Sequence, residues 1–189
     1  MKRLSGLLLA ALAVAALLAV SATAAVPSTQ SRRALAAVEA SVNVVLAGSP
    51  GDDRIAIELS LDGRSYEIES ATPLEVGGTV CTHPEKRPEA LLCEASAIAG
   101  FEINTGAGDD DVTLGRTVPV PATIRGGEGD DVLTGGAGAD KLIGGPGDDE
   151  LNGRGGNDVL IGGSGDDVLI GGPGENKLLD TIGHNVLRP

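Results

Sequence analysis

Residues 126–179 read GGEGDDVLT GGAGADKLI GGPGDDELN GRGGNDVLI GGSGDDVLI GGPGENKLL, which makes six tandem units of nine residues. The first two positions of each unit are glycine except for Arg154, and the fourth position is always glycine. The sixth position is Asp in five units and Asn176 in the last, and the eighth position is always Leu. Because glycine permits tight turns with positive φ, each unit combines an oxygen-rich turn with one apolar residue.

The residues around each eighth-position Leu predict a three-residue strand. In Val132-Leu133-Thr134 the middle side chain points to one face and its neighbours to the other, so the Leu side chains can line a narrow core. The alternative is a flexible Gly/Asp-rich linker, since such segments bury little apolar surface. A linker has no reason to keep Leu in phase through six units, so the pattern favours an all-β structure.

The pattern G-G-x-G-x-D-x-U-x resembles the RTX, or haemolysin-type, nonapeptide repeats of secreted bacterial calcium-binding proteins, which form a parallel β-roll. The resemblance implies that two units make one coil and that repeats n and n+2 stack on the same side. It also implies that Ca²⁺ lies between stacked turns, bound by turn carbonyls and sixth-position carboxylates, because Ca²⁺ accepts about six to eight oxygen ligands. Strands stack at ~4.8 Å, so these carboxylates would repel one another without a cation.

About four inter-turn calcium sites follow from the resemblance, at the residue pairs 131/149, 149/167, 140/158 and 158/176. The ligand residues that it implies are Asp110, Gly127, Gly129, Asp131, Gly136, Gly138, Asp140, Gly145, Gly147, Asp149, Gly156, Asp158, Gly163, Gly165, Asp167 and Asn176. Asn176 supplies a neutral oxygen where the family has a carboxylate, which weakens the last site. Acidic fifth positions at Asp130, Asp148 and Asp166 make one side of the roll more acidic than the other.

Degenerate units flank the array. Upstream, 105–113 (TGAGDDDVT) and 117–125 (TVPVPATIR) keep part of the pattern, and 48–56 (GSPGDDRIA) is a fainter echo of it. Downstream, DTIGHNVLR keeps glycine at position four and Leu at position eight. Because solenoid ends need atypical units, we expect degenerate repeats over 105–125, the roll over 126–179 and a cap over 180–189.

The N-terminus predicts export. Lys2 and Arg3 precede an apolar run over residues 7–20, and Ala22-Thr23-Ala24 fits a small-residue cleavage site. A signal peptide over 1–24, a leader or linker over 25–39 and a secreted, extracellular protein are therefore expected. A membrane anchor is the alternative, but the run is shorter than the roughly 20 residues that a span needs.

Residues 40–104 predict a small β-rich domain before the repeats. Alternating apolar residues over 54–61 and Asp62-Gly63 are typical of a hairpin with a two-residue loop. In an exported chain, Cys81 and Cys93 predict one disulfide. The alternative, a metal site of both cysteines with His83, lacks a clear fourth ligand.

Composition narrows the function. The formal net charge of −13 excludes binding to phosphate backbones and favours cations as partners. The chain has no H-E-x-x-H or G-x-S-x-G motif, so we do not expect an enzyme. The prediction is a secreted protein whose roll folds on binding Ca²⁺. Two alternatives are a calcium-dependent adhesion or matrix protein with an unknown protein or cell-surface partner, and an accessory or remnant module of a larger exoprotein.

Overall fold

Each nonamer contains one short strand that carries its eighth-position Leu, as the sequence predicts. The computed structural model describes residues 42–71, 80–84, 87, 90–180 and 182–188, and in them the chain forms fifteen strands and one short 3₁₀ helix. The predicted signal peptide and leader lie outside the described residues. Across those same ranges, no helix is both long and apolar enough to cross a membrane.

The strands are short and separated mostly by turns. In chain order they are β1 (Val42–Ala47), β2 (Arg54–Leu59), β3 (Ser65–Ser70), β4 (Cys81–Thr82), β5 (Ala90–Glu94), β6 (Ile98–Ala107), β7 (Asp111–Leu114), β8 (Ala122–Glu128), β9 (Val132–Thr134), β10 (Lys141–Pro146), β11 (Glu150–Asn152), β12 (Val159–Ser164), β13 (Val168–Ile170), β14 (Lys177–Leu179) and β15 (Val186–Arg188). The 3₁₀ helix, Ala95–Ala97, lies between β5 and β6.

Two sheets enclose the core. One has the order β1-β6-β8-β10-β12-β14, and the other has the order β15-β13-β11-β9-β7-β2-β3-β5-β4. Consecutive strands of the repeats alternate between the sheets, and each pairs in parallel with the strand two units away, as Leu142 with Leu160 and Leu151 with Leu169. The predicted all-β fold, a parallel β-roll in which repeats n and n+2 stack, is confirmed.

The eighth-position residues form a single column of apolar side chains between the sheets. Those that are 0% exposed are Val112, Ile124, Leu133, Leu142, Leu151, Leu160 and Leu169. Each buried Leu contributes about 2 kcal/mol of hydrophobic free energy, which is modest for nine ordered residues. The C-terminal end of the column is exposed to solvent. Leu187 pairs in register with Leu169 but is 45% exposed.

The solenoid begins before the glycine-rich units. Strand β1 pairs in parallel with β6, and β2 pairs in parallel with β7, so residues 42–59 form the first coil. The fainter unit 48–56 is in register, since Ile55 lies opposite Val112 and both occupy position eight. Residues 40–104 thus share both sheets and one core with the repeats. The assignment of 40–104 to a small β-rich domain of its own stays a prediction.

An antiparallel insertion follows the first coil. Strands β3, β5 and β4 extend the nine-stranded sheet beyond β2. The predicted hairpin is present, but the prediction that its loop has two residues is wrong. The Ser60 N–H donates to the Ser65 carbonyl at 2.8 Å, so residues 61–64 form the loop. The Ser60 hydroxyl stabilises this longer loop because it donates to Asp62 Oδ1 at 2.7 Å.

A disulfide and an aromatic pair fix this end of the molecule. Cys81 and Cys93 lie opposite each other on β4 and β5 and are joined by the expected disulfide. The alternative metal site is therefore wrong, and the His83 ring instead contacts the Ala90 carbonyl through Nδ1 at 3.1 Å. The rings of Tyr66 on β3 and Phe101 on β6 pack edge to face, with their centroids 5.1 Å apart.

Candidate metal centre

Turns at the two edges of the core connect the sheets, and each ends at a sixth-position residue. The first-side turns are residues 48–53, 105–110, 126–131, 144–149, 162–167 and 180–185. The second-side turns of the glycine-rich units are 135–140, 153–158 and 171–176. The predicted sixth-position ligands therefore form two columns, Asp110, Asp131, Asp149 and Asp167 on the first side and Asp140, Asp158 and Asn176 on the second.

Hydrogen bonds join the sixth-position residues of the first side into an inner ladder. Each backbone N–H donates to the side-chain Oδ1 of the sixth-position residue in the next coil. The bonds run from Asp53 to Asp110 (2.7 Å), Asp110 to Asp131 (3.0 Å), Asp131 to Asp149 (2.9 Å), Asp149 to Asp167 (2.8 Å) and Asp167 to Asn185 (2.8 Å). The ladder spans the first coil to the last, and it includes Asp53 and Asn185, which the sequence did not assign to the site.

Fifth-position residues form an outer ladder that runs in the opposite direction. Here the N–H of the later coil donates to the carboxylate of the earlier one. The bonds run from Asp109 to Asp52 (3.1 Å), Asp130 to Asp109 (2.9 Å), Asp148 to Asp130 (2.8 Å), Asp166 to Asp148 (2.7 Å) and His184 to Asp166 (2.8 Å). These carboxylates are exposed to solvent, so the outer ladder fixes the turns without burying charge.

The second oxygen of the inner carboxylates is buried and unpaired. The Oδ2 atoms that accept no hydrogen bond from the described residues belong to Asp110, Asp131, Asp149 and Asp167 on the first side and Asp158 on the second. These residues are at most 2% exposed. Removing an ionised carboxylate from water costs several kcal/mol unless an opposite charge or a proton compensates for it. The first side therefore contains a column of oxygens suited to cations.

Glycine carbonyls stack in the same turns. Gly145 (φ 144°) lies against the carbonyl of Gly127, and Gly147 (φ 141°) lies against that of Gly129. An added Cβ at either later glycine would lie less than 3.0 Å from the carbonyl oxygen below it. Carbonyl oxygens of positions two and four thus recur once per coil, and only glycine allows this close approach.

The second side has fewer unpaired oxygens. Asp140 Oδ2 accepts from the Gly136 N–H at 2.7 Å, and its Oδ1 accepts from the Ala122 N–H at 2.8 Å, so both oxygens are paired. The Nδ2 of Asn176 donates to the Gly172 carbonyl at 2.7 Å. Because of that bond, the carbonyl of the second-position residue Gly172 is less available as a ligand in the 158/176 gap. Of the second-side ligands, only Asp158 keeps a buried unpaired carboxylate oxygen among the described residues.

Arg154 places a permanent positive charge on the second side. It replaces a second-position glycine, has φ 63° and donates from its guanidinium to the Leu114 carbonyl two coils earlier. Burial lowers its pKa, and the nearby charge of Arg116 lowers it further. The regular turn has glycine at this position and therefore no charge. The positive charge of Arg154 thus makes the second side still less acidic than the first.

The arrangement fits calcium. Among the described residues no group of three or more His, Cys, Asp or Glu side chains could hold a metal ion. Instead of such a cluster, the first-side gaps between Asp110 and Asp167 present pairs of carboxylates together with backbone carbonyls. Calcium accepts such all-oxygen ligand sets in flexible geometry, with carboxylates and carbonyls as ligands.

Burial also perturbs the acidity of the inner carboxylates. Desolvation, together with the smaller effect of neighbouring carboxylates in the same column, raises the pKa of Asp131, Asp140 and Asp149 to about 6. Burial likewise raises the pKa of Asp158 and of Asp167, and the charge of Asp180 adds to the effect at Asp167. Without a cation, Asp131, Asp140 and Asp149 therefore keep their protons in the folded state up to a pH of about 6, whereas the unfolded chain releases them near pH 3.8.

We expect the calcium-free protein to be more stable near pH 5 than near pH 7.5. The folded state keeps protons that the unfolded chain releases, so this stability is complete below pH 3.8, falls as the pH rises and is lost above about 6. Thermal unfolding in chelator, followed by circular dichroism, measures the effect. Asp149→Asn should reduce the pH dependence, whereas the exposed control Glu175→Gln should not. A melting temperature that is constant or rises with pH would contradict the prediction.

Comparison with known families agrees with this geometry. The family model described as RTX calcium-binding nonapeptide repeat matches the chain over residues 123–151 and 143–178. No curated protein and no solved structure matches the chain. The matched repeat is a structural calcium-binding element and not a catalytic one. Residues 123–178 thus carry RTX calcium-binding nonapeptide repeats.

Proposed function

We propose that this is a secreted protein in which Ca²⁺, bound between stacked first-side turns, drives folding of the β-roll. The observation that carries the proposal is the column of buried carboxylate oxygens without partners. Each coil brings one such oxygen into line with the next and adds turn carbonyls beside it. Each unit gains hydrophobic free energy from a single buried Leu. This gain is too small to offset the cost of burying an unpaired carboxylate.

Three gaps between coils have the most suitable ligands. They lie between Asp110 and Asp131, between Asp131 and Asp149, and between Asp149 and Asp167, and both carboxylates of each pair have an unpaired Oδ2. The first of these was not among the four sites inferred from the repeats. On the second side, the 140/158 and 158/176 gaps have at most one unpaired carboxylate oxygen each among the described residues, so we assign them weaker binding.

Calcium binding and folding are linked in this proposal. The ligands come from turns that are 18 residues apart in the repeats, so the site exists only when successive coils are stacked. A ligand that binds only the folded state transfers its binding free energy to folding. Extracellular calcium modules bind at about 10⁻⁴ to 10⁻³ M. Such an affinity, together with the predicted signal peptide, supports a chain that becomes ordered after export.

Substitutions in the two columns test the assignment. Asp149→Ala removes a ligand from two first-side gaps and also the acceptor of the Asp131 N–H. Asn176→Ala removes a neutral side chain whose nitrogen already occupies the Gly172 carbonyl. We expect Asp149→Ala to weaken calcium binding by at least about tenfold, and Asn176→Ala to weaken it by no more than about threefold, since affinity follows ligand charge.

Calorimetric titration of the full chain with calcium measures both variants. The comparison is matched, because each substitution removes one sixth-position side chain from one column of the same roll. Equal losses in the two variants would contradict the assignment of the stronger sites to the first side. Absence of calcium binding by the unsubstituted protein would refute the proposed function itself.

A further inference from the structure

The last first-side gap differs from the others in its sixth-position residue. It lies between turns 162–167 and 180–185, and its upper sixth position is Asn185. The Oδ1 of Asn185 accepts the Asp167 N–H at 2.8 Å, so the inner ladder continues into this gap. Asn185 adds no charge, however, and the regular ligand pattern would leave Asp167 as the sole carboxylate there.

A second carboxylate enters the gap from a different repeat position. Asp180 occupies position one of its unit, where the six preceding units have glycine. It follows β14 and precedes the parallel bridge between Ser164 and Ile182, which fixes this segment against the coil below. Both carboxylate oxygens of Asp180 are buried, and neither accepts a hydrogen bond from the described residues.

The carboxylates of Asp180 and Asp167 converge on one point of the backbone. An added Cβ at Gly162 would lie less than 3.0 Å from an Oδ2 atom of each. Asp167 is 0% exposed, and its Oδ2 is unpaired, while its Oδ1 accepts the Asp149 N–H at 2.8 Å. Two facing carboxylates with no donor between them repel each other, so a positive species has to lie in this gap for both to remain ionised.

The second side provides a natural comparison. Its last gap also ends in an asparagine, Asn176, but the first position of that unit is Gly171. There the asparagine nitrogen donates to the Gly172 carbonyl, and no further carboxylate enters. The two columns therefore both end in a residue without a sixth-position carboxylate, and only the first side replaces it, with Asp180.

We propose that Asp180 and Asp167 together hold a calcium ion in the last first-side gap, with Asp180 acting in place of the missing sixth-position carboxylate. The inference rests on the proposed calcium function and adds a ligand position that the repeat pattern does not contain. The ion ties the final strand β15 to the roll at the end where the apolar column is open and Leu187 is 45% exposed.

The test compares three full-length variants with the unsubstituted protein, with calcium alone as the ligand. Asp180→Asn keeps the shape of the side chain and removes its charge. Glu175→Gln is the charge-matched control, because Glu175 is an exposed residue of the neighbouring second-side turn. The double variant Asp180→Asn/Asn185→Asp returns a carboxylate to the sixth position of the same gap. Equilibrium dialysis gives the number of bound ions, and amide exchange at Val186, whose N–H donates to the Asp167 carbonyl, reports on β15.

We expect Asp180→Asn to bind one ion fewer at the calcium concentration that saturates the control, or to bind its last ion about tenfold more weakly. Protection of the Val186 amide should fall in Asp180→Asn and return in the double variant. Identical stoichiometry, affinity and protection in Asp180→Asn and Glu175→Gln would overturn the inference while leaving the proposed function intact. Absence of calcium binding by the unsubstituted chain would instead refute the proposed function, and this inference with it.

Discussion

Removal of calcium at pH 7.5 is expected to unfold residues 105–189. At a free calcium concentration about 100 times the dissociation constant, each site stabilises the folded state by about 2.7 kcal/mol. Three first-side sites then contribute about 8 kcal/mol, which is comparable to the roughly 5–15 kcal/mol that stabilises a whole domain. Far-ultraviolet circular dichroism and thermal unfolding in calcium and in chelator measure the change, and we expect loss of the β-sheet signal in chelator.

Magnesium provides the control for this experiment. It prefers octahedral geometry at short distances and gives up its water reluctantly, so a gap lined by carbonyls and paired carboxylates suits it poorly. We expect millimolar magnesium not to restore the signal. If the chelated protein already shows the full β-sheet signal and calcium leaves its melting temperature unchanged, calcium-driven folding is wrong.

Gly147→Ala is expected to destabilise the protein by about 3 kcal/mol or more, even in saturating calcium. Gly147 has φ 141°, a conformation that alanine adopts at a cost of roughly 1–3 kcal/mol. The new Cβ would also press against the Gly129 carbonyl, so the coils would have to separate at a proposed ligand. Chemical denaturation measures the loss of stability, and calorimetry should show weaker calcium binding.

Gly155→Ala is the matched control for this substitution. Gly155 lies in a second-side turn without positive φ, and an added Cβ would meet nothing closer than 3.9 Å. We expect its effect to stay within about 1 kcal/mol, since a compatible Gly→Ala change also lowers the entropy of the unfolded chain. Similar losses in both variants would show that close stacking of the turn carbonyls is not the reason for glycine at position four.

The sequence predicted the repeated part of the fold because its pattern repeats without interruption. Leu at every ninth residue can be buried in one column only if strands alternate between two faces, and the pairing of Leu142 with Leu160 confirms this. Sixth-position carboxylates were likewise placed in two columns by their spacing. The ladder from Asp131 to Asp167 follows from the same periodicity.

The first coil was harder to recognise because an insertion hides its period. The sixth-position pair Asp53 and Asp110 is 57 residues apart, whereas the pairs within the glycine-rich units are 18 apart. Alternating apolar residues in β2 are compatible both with a separate domain and with a coil of the roll. Only the parallel pairing of β2 with β7 distinguishes the two, and it depends on contacts distant in sequence.

The differences between the two sides also depend on conformations that the repeat pattern does not specify. Gly136 and Gly145 occupy the same position of their units, yet Gly145 has φ 144° and Gly136 donates its N–H to Asp140. In the same way, the sequence shows that Asp180 departs from glycine at position one. It does not show that the Asp180 carboxylate lies inside the last gap.

The alternation of successive nonamers between the two sides sets the size of the step by which such a protein can change length. Insertion or deletion of two nonamers keeps every later turn on its own side, so each carboxylate still meets a partner of its own kind. Loss of a single nonamer after residue 149 would move Asp167 to the opposite edge, into the place that Asp158 occupies above Asp140. Variation in length by whole coils therefore keeps the two columns distinct, whereas variation by a single repeat exchanges the sides of every turn that follows.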